Sequence, residues 1–541
     1  MKPVVLIVLD GWGIAPPSRG NALSLARLPN YSHLWYSFPH TTLAASGEAV
    51  GLPRGERGNT ETGHLNLGAG RIVYQDLPRI NMAIADGSFF KNSAFLQAID
   101  HAKKNKAKLH LLGLIGTGGV HSNIEHLYAL LHCCKEQQFA NVFLHLITDG
   151  RDSPPTSARI YIEQINQELK TIGLGKIASI MGRYYAMDRD LRWDRTEKAY
   201  RALIQGQGRI AASCEEAIES SYAQGQTDEF IEPTIIKDGE SPMALVQSQD
   251  SVIFFNFRID RTRQLTKAFV LEDFSKEAAR SAGFDPYAID YYKKHVAYHI
   301  AISEPFNRGP KVSNLFFATM TEYERGLPVD AVAYPPETIS FPLGKTLANH
   351  EFHQLRCTET EKERFVTYYF NGQREEPFPL EDRLIVPSPK VPTYDLKPEM
   401  SALELTTAII DQIKRQFYQF ILINFPNVDM VGHTGVIDAA VIACETIDSC
   451  LGRIIPEIIS QQGYCIITAD HGNVEEMLSP TTGEIDTEHS TYPVPFILIG
   501  KEFEGKAQEL KSGILADVAP TILSLYGIEK PQSMTGRNLL Q

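Results

Sequence analysis

The sequence predicts an α/β protein in which one α/β domain is inserted into another. Short β-branched apolar runs alternate with stretches of helical periodicity along the whole chain, the pattern of α/β architecture. Most of these runs end on charged or polar residues. Runs ending near aspartate and histidine lie towards both extremities of the chain, and a second series ending on arginine fills the middle. In an open α/β sheet the carboxyl ends of the strands form the ligand crevice, so residues at those positions are the first candidates for chemistry.

The first run, Val4–Leu9, stops at Asp10, and residues 41–43 form a shorter one. A glycine-rich loop follows, from Gly51 to His64. From about residue 77 the second series begins. The strand expected over 108–113 leads into Gly118-Gly119-Val120-His121, and 141–148 ends at Asp149-Gly150-Arg151-Asp152. Residues 176–181 end at Gly182-Arg183, and 251–255 end at Asn256-Phe257-Arg258. Helical patterns over 157–171 and 195–206 fit between them. Residues 274–310 are charged and aromatic without a strand period and read as a partly helical insertion. After about residue 326 the first pattern resumes, with strands expected over 365–370, Phe420–Phe425, 464–469 and Val494–Ile499. The simplest reading is a discontinuous domain of residues 1–76 and 326–541 with residues 77–325 inserted into it.

Bulk properties narrow the function. An apolar share of 43% and a charged share of 22% are those of a globular protein in water. A net charge of -13 disfavours nucleic-acid binding, which needs a basic footprint. The seven cysteines (Cys133, Cys134, Cys214, Cys357, Cys444, Cys450 and Cys465) are odd in number and contain no CxxC pair. A disulfide framework is therefore not expected, and a reducing cytoplasm is. The Val4–Leu9 run is too short for a signal segment, and no later run reaches about 18 uninterrupted apolar residues. Neither a membrane nor a nucleic acid is expected as partner; a small molecule is.

Six residues, Asp10, Asp429, His433, Asp470, His471 and His489, are candidate metal ligands. Aspartate with histidine suits Mn²⁺, Zn²⁺ or Mg²⁺, and the absence of cysteine argues against structural zinc. Each alone is equally well read as a cap or turn residue; jointly, with three carboxylates after three apolar runs, that reading fails. In Gly58-Asn59-Thr60-Glu61-Thr62-Gly63-His64, a metal would favour the alkoxide of Thr60 and make it a nucleophile, while spacing alone favours a flexible surface turn. Arg151, Arg183, Arg189, Arg258 and Arg261 form a set of guanidinium forks suited to carboxylate and phosphate; Arg192, Arg195 and Arg263 read as solvated. Asp152 and His121 are candidate proton carriers. Lys362 reads as a solvated lysine in a charged stretch ahead of a strand, and residues 387–395 as an extended loop without chemistry. Together these describe a two-metal phosphoryl or sulfuryl transfer site on one domain and an arginine-lined anion site on the other.

Long motifs in order along nearly the whole chain resemble the cofactor-independent phosphoglycerate mutases of the alkaline phosphatase superfamily. They are Leu9-Asp10-Gly11-Trp12-Gly13, Gly58 to Arg71, Asp149-Gly150-Arg151-Asp152, Gly182 to Asp190, Phe254 to Arg261, Glu359 to Lys362, Asp429 to Gly435, Thr468 to Asn473, and Pro493-Val494-Pro495-Phe496. The resemblance implies interconversion of 3-phosphoglycerate and 2-phosphoglycerate, a step of glycolysis and gluconeogenesis, without a bisphosphoglycerate activator. It implies an alkaline-phosphatase-like metal-binding domain, an inserted transferase domain that binds substrate, two divalent cations (Mn²⁺ first, with Mg²⁺, Zn²⁺ or Co²⁺ as alternatives) and a monomer. By motif position, one ion is assigned to Asp429, His433 and His489, the other to Asp10, Thr60, Asp470 and His471. His121, Arg151, Asp152, Arg183, Arg189, Arg258 and Arg261 are assigned to the substrate, and Lys362 to its phosphoryl group.

The chain departs from the family in three places. Thr60 stands where serine is usual, Asn123 replaces a histidine commonly found two places after His121, and residues 274–310 lack a counterpart. Two other readings stay open: a metal-dependent phosphomonoesterase or sugar-phosphate mutase of the same superfamily, and a catalytically dead binding protein.

Overall fold

The computed structural model describes residues 2–278, 304–508 and 510–541. It divides into two compact units, Met1–Pro78 with Thr338–Gln541, and Arg79–Glu337. Each is α/β and is built on its own sheet.

The first unit carries eight strands in the order Glu381–Val386, Gln354–Glu359, Phe420–Phe425, Val4–Leu9, Tyr464–Thr468, Val494–Ile499, His40–Ala44 and Gly513–Ile514. The first five are mutually parallel, and Val494–Ile499 is antiparallel to both of its neighbours. Every residue of Val4–Leu9 is buried, as expected of a parallel strand covered on both faces. Its register pairs Leu9 with Phe425 and Val8 with Thr468. Three chain segments remote in sequence therefore end at one edge, where Asp10, the turn after Phe425, and Asp470 come together. Helices Ala402–Lys414 and Ile437–Ser460 cover this sheet with apolar faces that include Leu405, Ile409, Ile447 and Leu451.

The second unit orders its strands Ala331–Tyr334, Phe316–Thr321, Ser251–Phe254, Leu109–Leu114, Val142–Thr148, Lys176–Gly182, Thr234–Asp238 and Arg209–Ala211, with Ser241–Pro242 paired to Thr234–Asp238. Ala331–Tyr334 lies parallel to Phe316–Thr321, so this sheet continues past residue 325.

One local expectation is overturned. Residues 365–370 are not a strand; Phe365–Tyr369 is a π-helical turn. Val366, Tyr369 and Phe370 are buried while Phe365 and Tyr368 are not fully so, a helical rather than an alternating period. The strand of that region is Gln354–Glu359, and Lys362 follows it in the turn Thr360–Lys362. Of the stretch 274–310, a short helix Phe274–Glu277 is seen, and residues 279–303 lie outside the described residues.

A buried polar chain crosses the second sheet. His110 Nε2 lies 3.0 Å from Asp250 Oδ2, His110 Nδ1 lies 2.9 Å from His145 Nε2, and His145 Nδ1 lies 2.8 Å from Ser179 Oγ. Asp250 also faces Lys108 Nζ at 3.4 Å. The run is satisfied when each imidazole is neutral and carries its proton on Nε2. Burial holds both imidazoles below their ordinary value, with Asp250 opposing it at His110 and the His110 ring adding to it at His145. The unfolded chain therefore binds protons below about pH 6.5 that the fold excludes, and stability falls as pH drops through that range. His145, held well below its ordinary value, is expected to cost about 1.4 kcal/mol one unit below its unfolded value, with His110 adding to it. Urea midpoints at mildly acidic and neutral pH should differ, and less so in a His110→Gln, His145→Gln variant; an undiminished difference there would overturn the assignment.

Candidate metal centre and anion site

The edge of the first sheet gathers the seven candidate metal ligands together with Lys362. Asp10 follows Val4–Leu9, and Asp470 and His471 come just after Tyr464–Thr468. Asp429 lies in the helical turn Asn427–Gly432 and His433 caps it. Thr60 is the first residue of helix Thr60–Ala69, which Asn59 caps by accepting the Thr62 N–H at 2.9 Å. The cap and the helix hold Thr60 buried rather than in a mobile surface turn.

Lys362 is buried, not solvated. Its ammonium donates to Asp10 Oδ1 at 2.9 Å, Asp429 Oδ2 at 2.7 Å and Thr60 Oγ1 at 2.9 Å. His471 Nε2 lies 2.9 Å from Thr60 Oγ1, 3.4 Å from Asp10 Oδ1 and 3.6 Å from Asp470 Oδ2. His489 and His433 bring their Nε2 atoms to 3.2 and 3.3 Å from Asp429 Oδ1. The His471 and His489 rings stack with centroids 3.8 Å apart.

Charge in this cluster is unbalanced. Asp10, Asp429 and Asp470 are all buried, with one ammonium among them in the described residues. Burial opposes the Lys362 charge, but Asp10 and Asp429 outweigh it and raise its pKa. Burial likewise opposes the Asp429 and Asp470 charges, yet Lys362 at the first and His471 at the second hold these carboxyls below the usual range. His471 is disfavoured as a cation by burial and raised to about 9 by Asp470, Asp10 and Asp429. Asp470 Oδ2 receives no hydrogen bond among the described residues. An orphaned buried carboxylate oxygen beside two others is costly unless a cation meets it. Two groups, Asp429 with His471 and His489, and Asp10 with His64 and Asp470, each bring three donor atoms within 4.8 Å of one another. Oxygen and imidazole donors without thiolate fit Mn²⁺, Mg²⁺, Zn²⁺ or Co²⁺.

Three polar residues of this centre carried no role in the sequence reading. His64 Nδ1 donates to the Thr60 carbonyl at 3.0 Å and lies 3.2 Å from Asp470 Oδ2. Its Nε2 faces Asn424 Nδ2 at 3.1 Å, and the same amide donates to Asp10 Oδ2 at 2.8 Å. Asn473 Nδ2 donates to Asp429 Oδ1 at 2.9 Å. The spacing of Thr60 and His64, one helical turn, was the available signal for the first.

The second unit carries the arginines. Arg183 follows Lys176–Gly182 and is buried. Its Nη1 donates to Asp149 Oδ1 at 2.6 Å and Asp152 Oδ2 at 2.5 Å, and its Nη2 donates to His121 Nε2 at 3.0 Å. Burial, then the Arg183 charge, pushes His121 down to about 4. Burial opposes the Asp152 charge, but Arg183 prevails and lowers its pKa. Arg189 Nη1 and Arg258 Nε share Asp260, at 2.7 and 3.2 Å. Arg261 Nη1 donates to the Met187 carbonyl at 3.2 Å; burial, then Arg189 and Arg183, lowers it to about 10. Arg151 Nε lies 3.3 Å from Glu229 Oε1. Arg195 and Arg263 are only partly exposed: Arg195 pairs with Asp188 at 3.0 Å, and Arg263 donates to the Tyr323 carbonyl at 2.7 Å. Arg192 pairs with Asp194 at 3.0 Å. Asp260, which ties two arginines together, had no distinguishing mark in the sequence.

Residues 80–325 match the family described as BPG-independent PGAM N-terminus (iPGM_N). The chain is 48% identical over 539 residues to a 2,3-bisphosphoglycerate-independent phosphoglycerate mutase of Moorella thermoacetica, covering 100% of this chain and 98% of that protein. It is 49% identical over 547 residues to the protein of that name from Chloroflexus aggregans, with 100% and 98% covered. Among solved structures, a Leishmania mexicana phosphoglycerate mutase crystallised at low cobalt concentration is similar with a TM-score of 0.58 and 29% identity, over 99% of this chain and 97% of that one.

Proposed function

The chain belongs to the 2,3-bisphosphoglycerate-independent phosphoglycerate mutases, and from that premise we propose that it interconverts 3-phosphoglycerate and 2-phosphoglycerate by passing the phosphoryl group through Thr60. The observation that carries the reading is the Thr60 hydroxyl, buried at a helix N-terminus and 2.9 Å from both Lys362 Nζ and His471 Nε2. A helix N-terminus favours developing anionic charge, and a buried ammonium beside it adds to that preference.

Asp429, His433 and His489 would hold one divalent cation, and Asp10, Thr60, Asp470 and His471 a second. When bound, such ions favour the alkoxide of a coordinated hydroxyl and neutralise phosphoryl oxygens. Thr60 Oγ1 forms a bond to phosphorus as the bond from phosphorus to the glycerate 3-oxygen breaks. Asp152, entering the cycle protonated against the pull of Arg183, delivers the proton that this oxygen needs. The same carboxylate takes the proton from the 2-hydroxyl as that oxygen accepts the phosphoryl group from Thr60. Lys362 stabilises the phosphoryl group in both transfers. Arg151, Arg183, Arg189, Arg258, Arg261 and His121 retain the glycerate meanwhile, which makes the unit Arg79–Glu337 the substrate-binding transferase domain and the other the phosphatase-type domain.

A phosphomonoesterase or a sugar-phosphate mutase has no need for this arginine set, since neither must retain a carboxylate product. Coupled assays decide: the reading requires 2-phosphoglycerate from 3-phosphoglycerate at a rate far above release of free phosphate. Phosphate release with no 2-phosphoglycerate would sink it.

Asp260 supplies a narrower prediction. It holds Arg189 and Arg258 against one carboxylate, so Asp260→Asn is expected to raise KM about tenfold, the scale of one charged hydrogen bond, with kcat changed less. An unchanged KM would show that the two arginines need no such brace. The seven cysteines are free and buried, which supports a reducing cytoplasm, and no helix among the described residues is long and apolar enough to cross a membrane.

A further inference from the structure

We propose that Glu475 is a positioning residue for the cation site, one carboxylate that locks three ligand-bearing loops into register without touching a cation itself. The inference rests on the two-cation reading above. Glu475 lies in the turn Val474–Glu476 and is 2% exposed. Its Oε2 accepts the Gly13 N–H at 3.1 Å and the Asn473 N–H at 2.9 Å, and its Oε1 accepts the Ser490 hydroxyl. Those partners belong to three separate segments. Gly13 is three residues after Asp10, Asn473 is two after His471, and Ser490 is next to His489.

From each partner the connection to a candidate ligand is one step. Asn473 Nδ2 donates to Asp429 Oδ1 at 2.9 Å. Ser490 N–H donates to the Gly472 carbonyl at 3.0 Å, tying the His489 segment to the His471 segment. His489 Nδ1 lies 2.8 Å from the Gly58 carbonyl, which fixes the proton there and leaves Nε2 free to face Asp429 at 3.2 Å. The carboxylate sits where two backbones pass it closely. A Cβ added at Gly13 or at Gly472 would lie 2.1 Å from Glu475 Oε1. The second glycine of Asp10-Gly11-Trp12-Gly13 and the glycine of Asp470-His471-Gly472-Asn473 are thus explained by the room this side chain needs. A buried carboxylate bonded to neutral donors is a poor choice for stability alone. A rigid three-way acceptor between loops is what ligand geometry requires, because supporting residues orient the ligands and set metal affinity.

The test is calorimetric titration of Mn²⁺ into metal-stripped, full-length protein. Glu475→Ala is expected to weaken Mn²⁺ binding about 10- to 100-fold. Glu475→Gln keeps an acceptor oxygen at the same reach and should recover most of that loss, a rescue that bulk destabilisation would not produce. Glu475→Asp is one methylene too short and should behave like alanine, which keeps the test decisive if the alanine variant does not fold. Unchanged Mn²⁺ affinity in the folded alanine or aspartate variant overturns this inference alone. Absence of Mn²⁺ binding by the unsubstituted protein overturns the two-cation reading, and this inference with it.

Discussion

Thr60→Ala should reduce mutase turnover by about 10⁴-fold or more, the scale seen when a covalent nucleophile is removed, while the protein still folds. The expectation of folding is local: Asn59 caps the helix through the Thr62 N–H, a bond the substitution leaves intact. What disappears is the oxygen shared by Lys362 and His471. No other hydroxyl is hydrogen-bonded to that ammonium among the described residues, so nothing replaces it. Thr60→Ser keeps the oxygen and removes only the methyl that restricts the rotamer; it should retain or raise activity. A coupled assay for 2-phosphoglycerate reads both. Full turnover in Thr60→Ala would remove the phosphoenzyme from the mechanism, and complete loss in Thr60→Ser would mean the pocket depends on the methyl.

The second large effect is expected from metal removal. Stripping divalent cations should take turnover to background, and separate addition of Mn²⁺, Mg²⁺, Zn²⁺ and Co²⁺ should rank them by recovery, with Mn²⁺ first. Stability should follow, because a ligand that binds only the fold adds about 2.7 kcal/mol at a hundredfold excess over its Kd. The reason is the imbalance at Asp10, Asp429 and Asp470, where, among the described residues, Lys362 is the one ammonium and Asp470 Oδ2 receives no hydrogen bond. Asp429→Asn tests the same point by substitution. It faces His433, His489, Asn473 and Lys362, and its loss should abolish both recovery and stabilisation. Undiminished turnover in stripped protein would end the two-cation reading.

What could be read from the chain depended on how each residue meets its environment. Val4–Leu9, Phe420–Phe425 and Tyr464–Thr468 are strands of the covered sheet, and such strands read as unbroken apolar runs. Their ends were therefore visible, and with them Asp10, Asp470 and His471. Gln354–Glu359 lies in the same sheet but was hidden, because Gln354, Arg356 and Glu359 are polar although fully buried. Their partners are distant: Gln354 reaches the Gly344 carbonyl, Arg356 faces Glu381, and Glu359 accepts the Ser401 N–H. Polarity read as exposure also misplaced Lys362, whose charge is met by Asp10 and Asp429, both on other segments of the chain. Asp260 and Glu475 were silent for a different reason. Each acts by joining groups on separate turns, and no spacing within one segment encodes that.

The position of Val4–Leu9 has a consequence for how the protein is made. It is synthesised long before its register partners, which begin at Phe420 and Tyr464. Until those are synthesised, a fully apolar strand has no neighbour to pair with, and such exposed segments invite aggregation. The unit Arg79–Glu337 is contiguous in sequence and is free to condense while the opening strand waits. Biogenesis should therefore be sensitive to chaperone supply and to translation speed through the codons of the Phe420 and Tyr464 strands, with nascent chains stalled ahead of Phe420 depending most on a holdase.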